Sequence, residues 1–219
     1  MQGNLTIIYK DVKYANIKVR PSLEVVVTVP LGTESSKVDE IIQKRSNWIK
    51  KQLTYFNDRQ HHVKEYVSGE SFQFLGKDYR LKIIHSNEER VKLSGGYLQV
   101  WVKIGTDCDA KKRLVEEWLK DKAKFHFSKV LNKYSKLVGV GIDKFSIRYM
   151  KTRWGSCNPK KSYININIEL IKKSLDLIEY VVLHELTHLV HYNHTAEFYD
   201  FMTLHMPNWK IRKNKLENT

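Results

Sequence analysis

Residues 175–189 read Leu-Asp-Leu-Ile-Glu-Tyr-Val-Val-Leu-His-Glu-Leu-Thr-His-Leu, an apolar stretch with two histidines and a glutamate set into its second half. Leu175, Ile178, Val182, Leu186 and Leu189 recur at helical spacing, so the segment is expected to be a core helix capped by Ser174. Burial is what makes its polar residues informative. A solvated histidine pair is unremarkable, but a pair on a core helix needs a partner to offset desolvation. His184 and His188 are four apart, one turn above each other, and can close on a single ion. Glu185 stands where it can receive a proton from water at that ion.

A third donor should come from another direction. His194 follows six residues after His188, beyond a helix stop at Asn193, a residue type that accepts the left-handed conformation. His191 is its rival, but donors at zero, four and seven along one straight helix fall in a row, whereas tetrahedral zinc wants them convergent. His191 is therefore expected near the site or at the surface. The His184–His194 spacing equals that of the metzincin pattern, although a glycine stands there where this chain has His191. Three neutral imidazoles leave one zinc position open, as catalysis requires. The expectation is one catalytic Zn2+ held by His184, His188 and His194, with Glu185 as general base in a metal-dependent hydrolase, a peptidase first of all. Imidazole also suits nickel, copper and iron.

Other residues are candidates for handling substrate. Arg153, Tyr199 and His205 can each donate to an oxyanion, and the sequence does not choose among them. Trp154-Gly155-Ser156 can form a rim to which an extended peptide adds as a strand, Gly155 allowing close backbone approach. Trp154 can equally plug the core. Glu197 and Asp200 can orient a ligand histidine, and Cys157 reads as a buried thiol.

Composition removes several classes. No run approaches the roughly 18 to 20 consecutive apolar residues of a membrane span, and the first residues do not read as a leader peptide. Cys108 and Cys157 are the only cysteines, too few for a disulfide framework or a Cys-based zinc knuckle. Two reduced thiols fit a cytoplasmic protein. The formal charge of +14 is spread along the chain and would attract anionic partners at low salt. Peptide or protein is thus the expected substrate, with nucleic acid on a basic surface as a further partner and no membrane. No zinc-finger, helix-turn-helix or RNA-recognition signature is present.

The expected fold class is α+β. Residues 1–105 should form an antiparallel β-rich region with one helix, from strands at Leu5–Tyr9, Ala15–Val19 and Leu23–Val29, a helix from Ser35 to about Phe56, and strands near 72–75, 79–84 and 93–102. The helix should bury Val38, Ile41, Ile42, Trp48, Ile49 and Leu53. Residues 106–219 should form a helical domain around a small sheet. A long helix over Leu114, Trp118, Phe125, Val130, Tyr134 and Leu137 ends near Gly139, and strands cover 145–150 and 163–168. After the metal-binding helix, Thr195 caps another through about Leu204.

Arg153-Trp154-Gly155-Ser156-Cys157, then the paired-asparagine strand, His184-Glu185-Leu186-Thr187-His188, Asn193-His194 and Phe198-Tyr199 together resemble the YgjP-like family of zinc metallopeptidases. Pro207-Asn208-Trp209 and Phe74-Leu75-Gly76-Lys77-Asp78-Tyr79-Arg80 extend the likeness. The resemblance implies a zincin-like catalytic domain with zinc on His184, His188 and His194 and a catalytic acid at Glu185. The catalytic helix is also similar to that of SprT-like peptidases, which act on DNA-attached proteins. A basic nucleic-acid-associated protein, catalytic in that manner or using its metal only for stability, is the alternative. Glu185 argues against the purely structural metal, which has no use for a carboxylate there. The family usually has Trp where Tyr199 stands, a difference beside the metal motif and not in it.

Overall fold

A computed structural model describes residues 4–20, 22–60 and 64–218. The chain divides into two compact units, residues 1–65 and 66–219. The boundary expected at 105/106 falls inside the second unit, because the strands after residue 70 share a hydrophobic core with the long helix that follows them.

In the first unit β1 (Leu5–Lys10), β2 (Asn16–Val19) and β3 (Val25–Pro30) form a sheet of order β1-β3-β2. Helices α1 (Ser35–Lys44) and α2 (Ser46–Gln60) follow. The single helix expected here is interrupted at Arg45, whose φ of −105° and ψ of 4° leave the helical range. Val25, Val27 and Val29 from alternate positions of β3 pack with Val38 and Ile49. Trp48, expected inside, is 41% exposed. It sits one residue, about 100° of helix, from Ile49, and the buried stripe of α2 follows Ile49.

The second unit holds two more sheets. β4 (Ser71–Phe74), β5 (Lys77–His85), β6 (Arg90–Ser94) and β7 (Tyr97–Val102) have the order β4-β5-β7-β6; β8 (Lys144–Arg148), β9 (Gly155–Asn158) and β10 (Tyr163–Asn167) have the order β8-β10-β9. Antiparallel pairing was expected throughout the N-terminal strands, but β1 runs parallel to β3 and β5 to β7. β8 is likewise parallel to β10. The trios β1-β2-β3, β5-β6-β7 and β8-β9-β10 therefore repeat one arrangement: the last strand lies between the other two, antiparallel to the second and parallel to the first. Only one connection in each trio is a hairpin, so strand order along the chain misleads about pairing.

Helix α3 (Cys108–Val138) is unbroken. Asp107 caps it by accepting from the Ala110 amide, and Gly139 closes it at φ 69°. Its buried stripe is Val115, Leu119, Ala123, Phe127, Val130, Leu131 and Tyr134. Phe125 and Leu137, expected within it, lie more than half exposed. Helix α4 (Leu175–Thr187) carries the histidine motif and is buried nearly all round, with Ile178, Val182, Leu183 and Leu186 fully inaccessible. A helix apolar on every side belongs in a core, and here α3 and the third sheet enclose it. Helices α5 (Ala196–His205) and α6 (Trp209–Glu217) complete the fold, and the α+β class stands. Among the described residues no helix is long and apolar enough to cross a membrane.

Two contacts fix α4 in place. The β4–β5 turn has φ of 48° at Leu75 and 75° at Gly76, the two positive values of a type I′ turn. Its amides donate to the Ile171 and Lys172 carbonyls, and a Cβ on Gly76 would lie 2.6 Å from Ser174 Cβ at the start of α4. At the other contact, Arg212 of α6 donates to Glu179 Oε2 at 2.9 Å and to the Asp176 carbonyl, while Lys133 of α3 reaches Glu179 Oε1. Burial pushes the Glu179 carboxyl up, but these two hydrogen-bonded cations outweigh it and hold it below its ordinary value.

Glu179 therefore contributes stability that is full above the unfolded-state pKa and lost as pH falls through the lower folded one. Replacing it with Gln should cost about 1–3 kcal/mol at neutral pH, the penalty for unpairing a part-buried charge. In thermal melts, the gap between wild type and Glu179→Gln should hold steady from about pH 7 to 5 and close below about pH 4. A gap independent of pH would contradict this role. Gly76→Ala should lower the melting temperature through both the positive φ and the collision with Ser174. An unchanged melt would show that the turn does not brace α4.

Candidate metal centre

The ligand atoms of His184, His188 and His194 lie within 4.8 Å of one another. Two of these residues come from the last turn of α4 and its C-cap; the third comes from the loop entering α5. Donors at a tetrahedral zinc sit about 3.3 Å apart, the edge of a tetrahedron with bonds of roughly 2.0–2.1 Å. His184 Nε2 and His194 Nε2 are 3.1 Å apart, so the cluster fits an ion with little movement. His188 Nδ1 faces the His191 carbonyl at 3.3 Å; an N–H there leaves Nε2 free for the ion. The His191 ring packs instead on Phe201.

Phe198 of α5, fully buried, forms the floor beneath all three rings, with centroids 4.6–5.1 Å away. His194 sits on an exposed loop, yet it is backed by rings. Tyr199 stacks on it at 6.2 Å and on Trp209 at 5.3 Å, and Trp209 Nε1 donates to Thr203. Burial, then the charges of His188, His194 and Lys213, lowers the His184 pKa to about 3. His188 is lowered as well, chiefly by burial. Burial thus favours the neutral form of the His184 and His188 rings, the state in which imidazole binds metal.

Glu185 is only 6% exposed. Burial raises its pKa to about 8, against a smaller opposing pull from Arg153. Its carboxyl lies against the backbone of Gly155: a Cβ there would be 2.6 Å from Oε1 and 2.8 Å from Cδ. This is why the rim needs glycine, although Gly155 has no unusual φ.

A cleft of about 490 Å³ opens onto the centre. Its walls include residues 152–157, with Tyr180 and Val181 of α4 and Lys213, Leu216 and Glu217 of α6. Arg153, Trp154 and Gly155 thus meet the histidines and Glu185 in one cleft. Tyr199 stands behind His194, while His205 packs on Phe201; neither lines the cleft. Glu197 and Asp200 are exposed. Cys157 is half-buried on the wall, its thiol pushed up to about 11 by burial and by the Glu185 charge.

One residue that shapes the site has no motif to announce it. Asn167, 3% exposed at the end of β10, donates to the carbonyls of Met150 and Arg153 and accepts from the amides of Met150 and Glu169. The loop bearing Arg153 and Trp154 is therefore clamped to the sheet. The sequence hinted at it through strand alternation, which put Asn165 and Asn167 on the face opposite Ile164 and Ile166, and through the paired-asparagine strand in the family resemblance, but neither gave its partners.

Residues 13–219 match the family model of the YgjP-like metallopeptidase domain. The chain belongs to the YgjP-like metallopeptidase family. The match spans most of both units, so the metal-dependent peptidase assignment covers more than the histidine motif. No curated protein matches the sequence. Among solved structures the YgjP-like chain is similar to two archaeal metallopeptidase zymogens. Abylysin of Pyrococcus abyssi is 18% identical, with a TM-score of 0.40 over 42% of this chain and 92% of that one. Jannalysin of Methanocaldococcus jannaschii is 19% identical, with a TM-score of 0.39 over 42% and 88%. Family membership rests on the model match, not on these partial likenesses.

Gly155→Ala should displace the Glu185 carboxyl, lowering kcat about 100-fold with KM little altered. Full activity would mean the carboxyl's position is not critical. Tyr199→Ala should weaken zinc affinity about tenfold in chelator competition, and Tyr199→Phe, which keeps the stack, should not. Equal affinity in the alanine variant would exclude Tyr199 from supporting His194.

Proposed function

We propose that the protein is a zinc-dependent peptidase that hydrolyses peptide bonds with Glu185 as general base. The observation that carries this is a buried carboxyl sharing one cleft with three convergent imidazoles. His184, His188 and His194 would hold the ion, and zinc, when bound, supplies a Lewis acid that polarises a carbonyl and acidifies water towards a pKa of about 7. Everything else falls to the chain. Glu185, its proton affinity raised by burial, takes a proton from the attacking water at its carboxylate oxygen and passes it to the leaving amine. Gly155 holds that carboxyl in one position by backbone contact.

β9 is an edge strand and lines the cleft, so an extended peptide can pair with it and carry its scissile bond past Glu185. Of the three oxyanion donors considered, Arg153 alone lines the cleft, which favours it over Tyr199 and His205. Trp154 is partly buried against the core and also lines the cleft, which is compatible with either of its expected roles, rim or core plug.

Glu185→Gln should retain one zinc per chain by elemental analysis and lose at least about a thousandfold in peptide hydrolysis. His194→Ala should lose the metal itself, whereas His191→Ala keeps it. Undiminished turnover in Glu185→Gln would remove the proposed base, and metal loss confined to His191→Ala would reassign the third ligand.

A further inference from the structure

β9, the strand proposed to receive substrate, is bracketed by cations. Lys151 and Arg153 precede it, and Lys160 and Lys161 follow in the turn to β10; all four are exposed. Residues 143–173 carry eight Lys and Arg against only Asp143 and Glu169. Glu169 is already paired with Lys172. Among the described residues, no ion pair engages Lys151, Arg153, Lys160 or Lys161. Lys213 adds a further cation on the opposite wall of the cleft, at 3.8 Å from Glu217.

The polar face of this sheet continues the same character. Ser156 on the rim accepts from Asn165, which accepts from Ser146, and Ser146 in turn accepts from Arg148. Lys144 and Arg148 both lie 5.9 Å from the Tyr163 ring centroid, and Lys173 lies 5.7 Å from that of Trp154. Single-stranded nucleic acid needs open aromatic faces on which bases stack. Here Tyr163 and Trp154 each have a cation 5.7–5.9 Å from the ring centroid. β9 itself, Gly-Ser-Cys-Asn, carries no aromatic ring, and the open rings Tyr149 and Tyr192 lie outside it. What remains is positive charge at both ends of a strand that pairs with extended backbone.

We infer that the cleft selects acidic polypeptide segments, with Asp or Glu on both sides of a core of about four residues lying along β9. This deepens the peptidase reading and rests on it. Four residues of strand span about 13 Å, so side chains beyond each end of that core reach Lys151 on one side and Lys160 and Lys161 on the other. Attraction between exposed charges falls with ionic strength, so the preference is salt-sensitive.

The test uses the zinc-loaded full chain and three fluorogenic peptides that share one core and differ only in Glu, Gln or Lys flanks. At low salt the Glu-flanked peptide should show kcat/KM about tenfold above the Gln-flanked one, with the Lys-flanked one slowest, and the spread should narrow at high salt. The variant Lys151→Glu, Lys160→Glu, Lys161→Glu should erase or invert the ranking while cutting the Gln-flanked peptide as before. Equal rates on Glu and Gln flanks, or an undisturbed ranking in the variant, would overturn the inference. Should wild type cut no peptide, the peptidase reading fails by itself. Binding of a fluorescein-labelled Glu-flanked peptide then still decides the inference, since its affinity must drop in the charge-reversed variant. Tighter, variant-sensitive binding of a short oligothymidylate would replace acidic polypeptide with nucleic acid as the partner.

Discussion

Desolvation of the Glu185 carboxyl is the constraint on which the rest of this structure depends. A glutamate on a helix buried on nearly every side costs several kcal/mol in its charged form unless its surroundings compensate. Among the described residues the cation whose field reaches it is Arg153, and this does not cancel the burial. The same burial strips His184 of its proton. One environment thus raises the proton affinity of the carboxyl and lowers that of the imidazole beside it. Such a pairing suits a dication, which relieves the carboxyl and needs the neutral ring.

The scaffold serves to hold that costly arrangement in place. α4 is gripped at its start by the β4–β5 turn and along its side by Arg212 and Lys133 on Glu179. At its far end Phe198 sets the floor of the three-histidine cluster, and the Tyr199–Trp209 stack backs the ligand on the loop. The rim is held independently, through Asn167 and its bonds to the Met150 and Arg153 carbonyls. The parts of the site come from three places in the chain, and each is braced by groups that do not line the cleft.

Much of the site was legible because its parts are local. His184, Glu185 and His188 sit on one helical face by spacing alone, and His194 follows from the need for a donor out of line. The structure brings these ligand atoms together. Less legible was whatever depends on distant backbone. Asn167 acts through carbonyls 14 and 17 residues away, which no side-chain pattern encodes. The parallel pairing of β1 with β3 and β5 with β7 was hidden because the intervening strand makes the hairpin. Apolar periodicity located α3 but misplaced its buried stripe, since Phe125 and Leu137 are apolar without being inside. Apolar residues are common on surfaces, so their mere presence ranks below phase.

The most direct test of the central claim is X-ray absorption at the zinc edge on the purified, metal-loaded chain. Three imidazole nitrogens at about 2.0–2.1 Å with one further light-atom donor are predicted. A sulfur donor from Cys157, four protein imidazoles, or no ordered shell at all would contradict an open three-histidine centre.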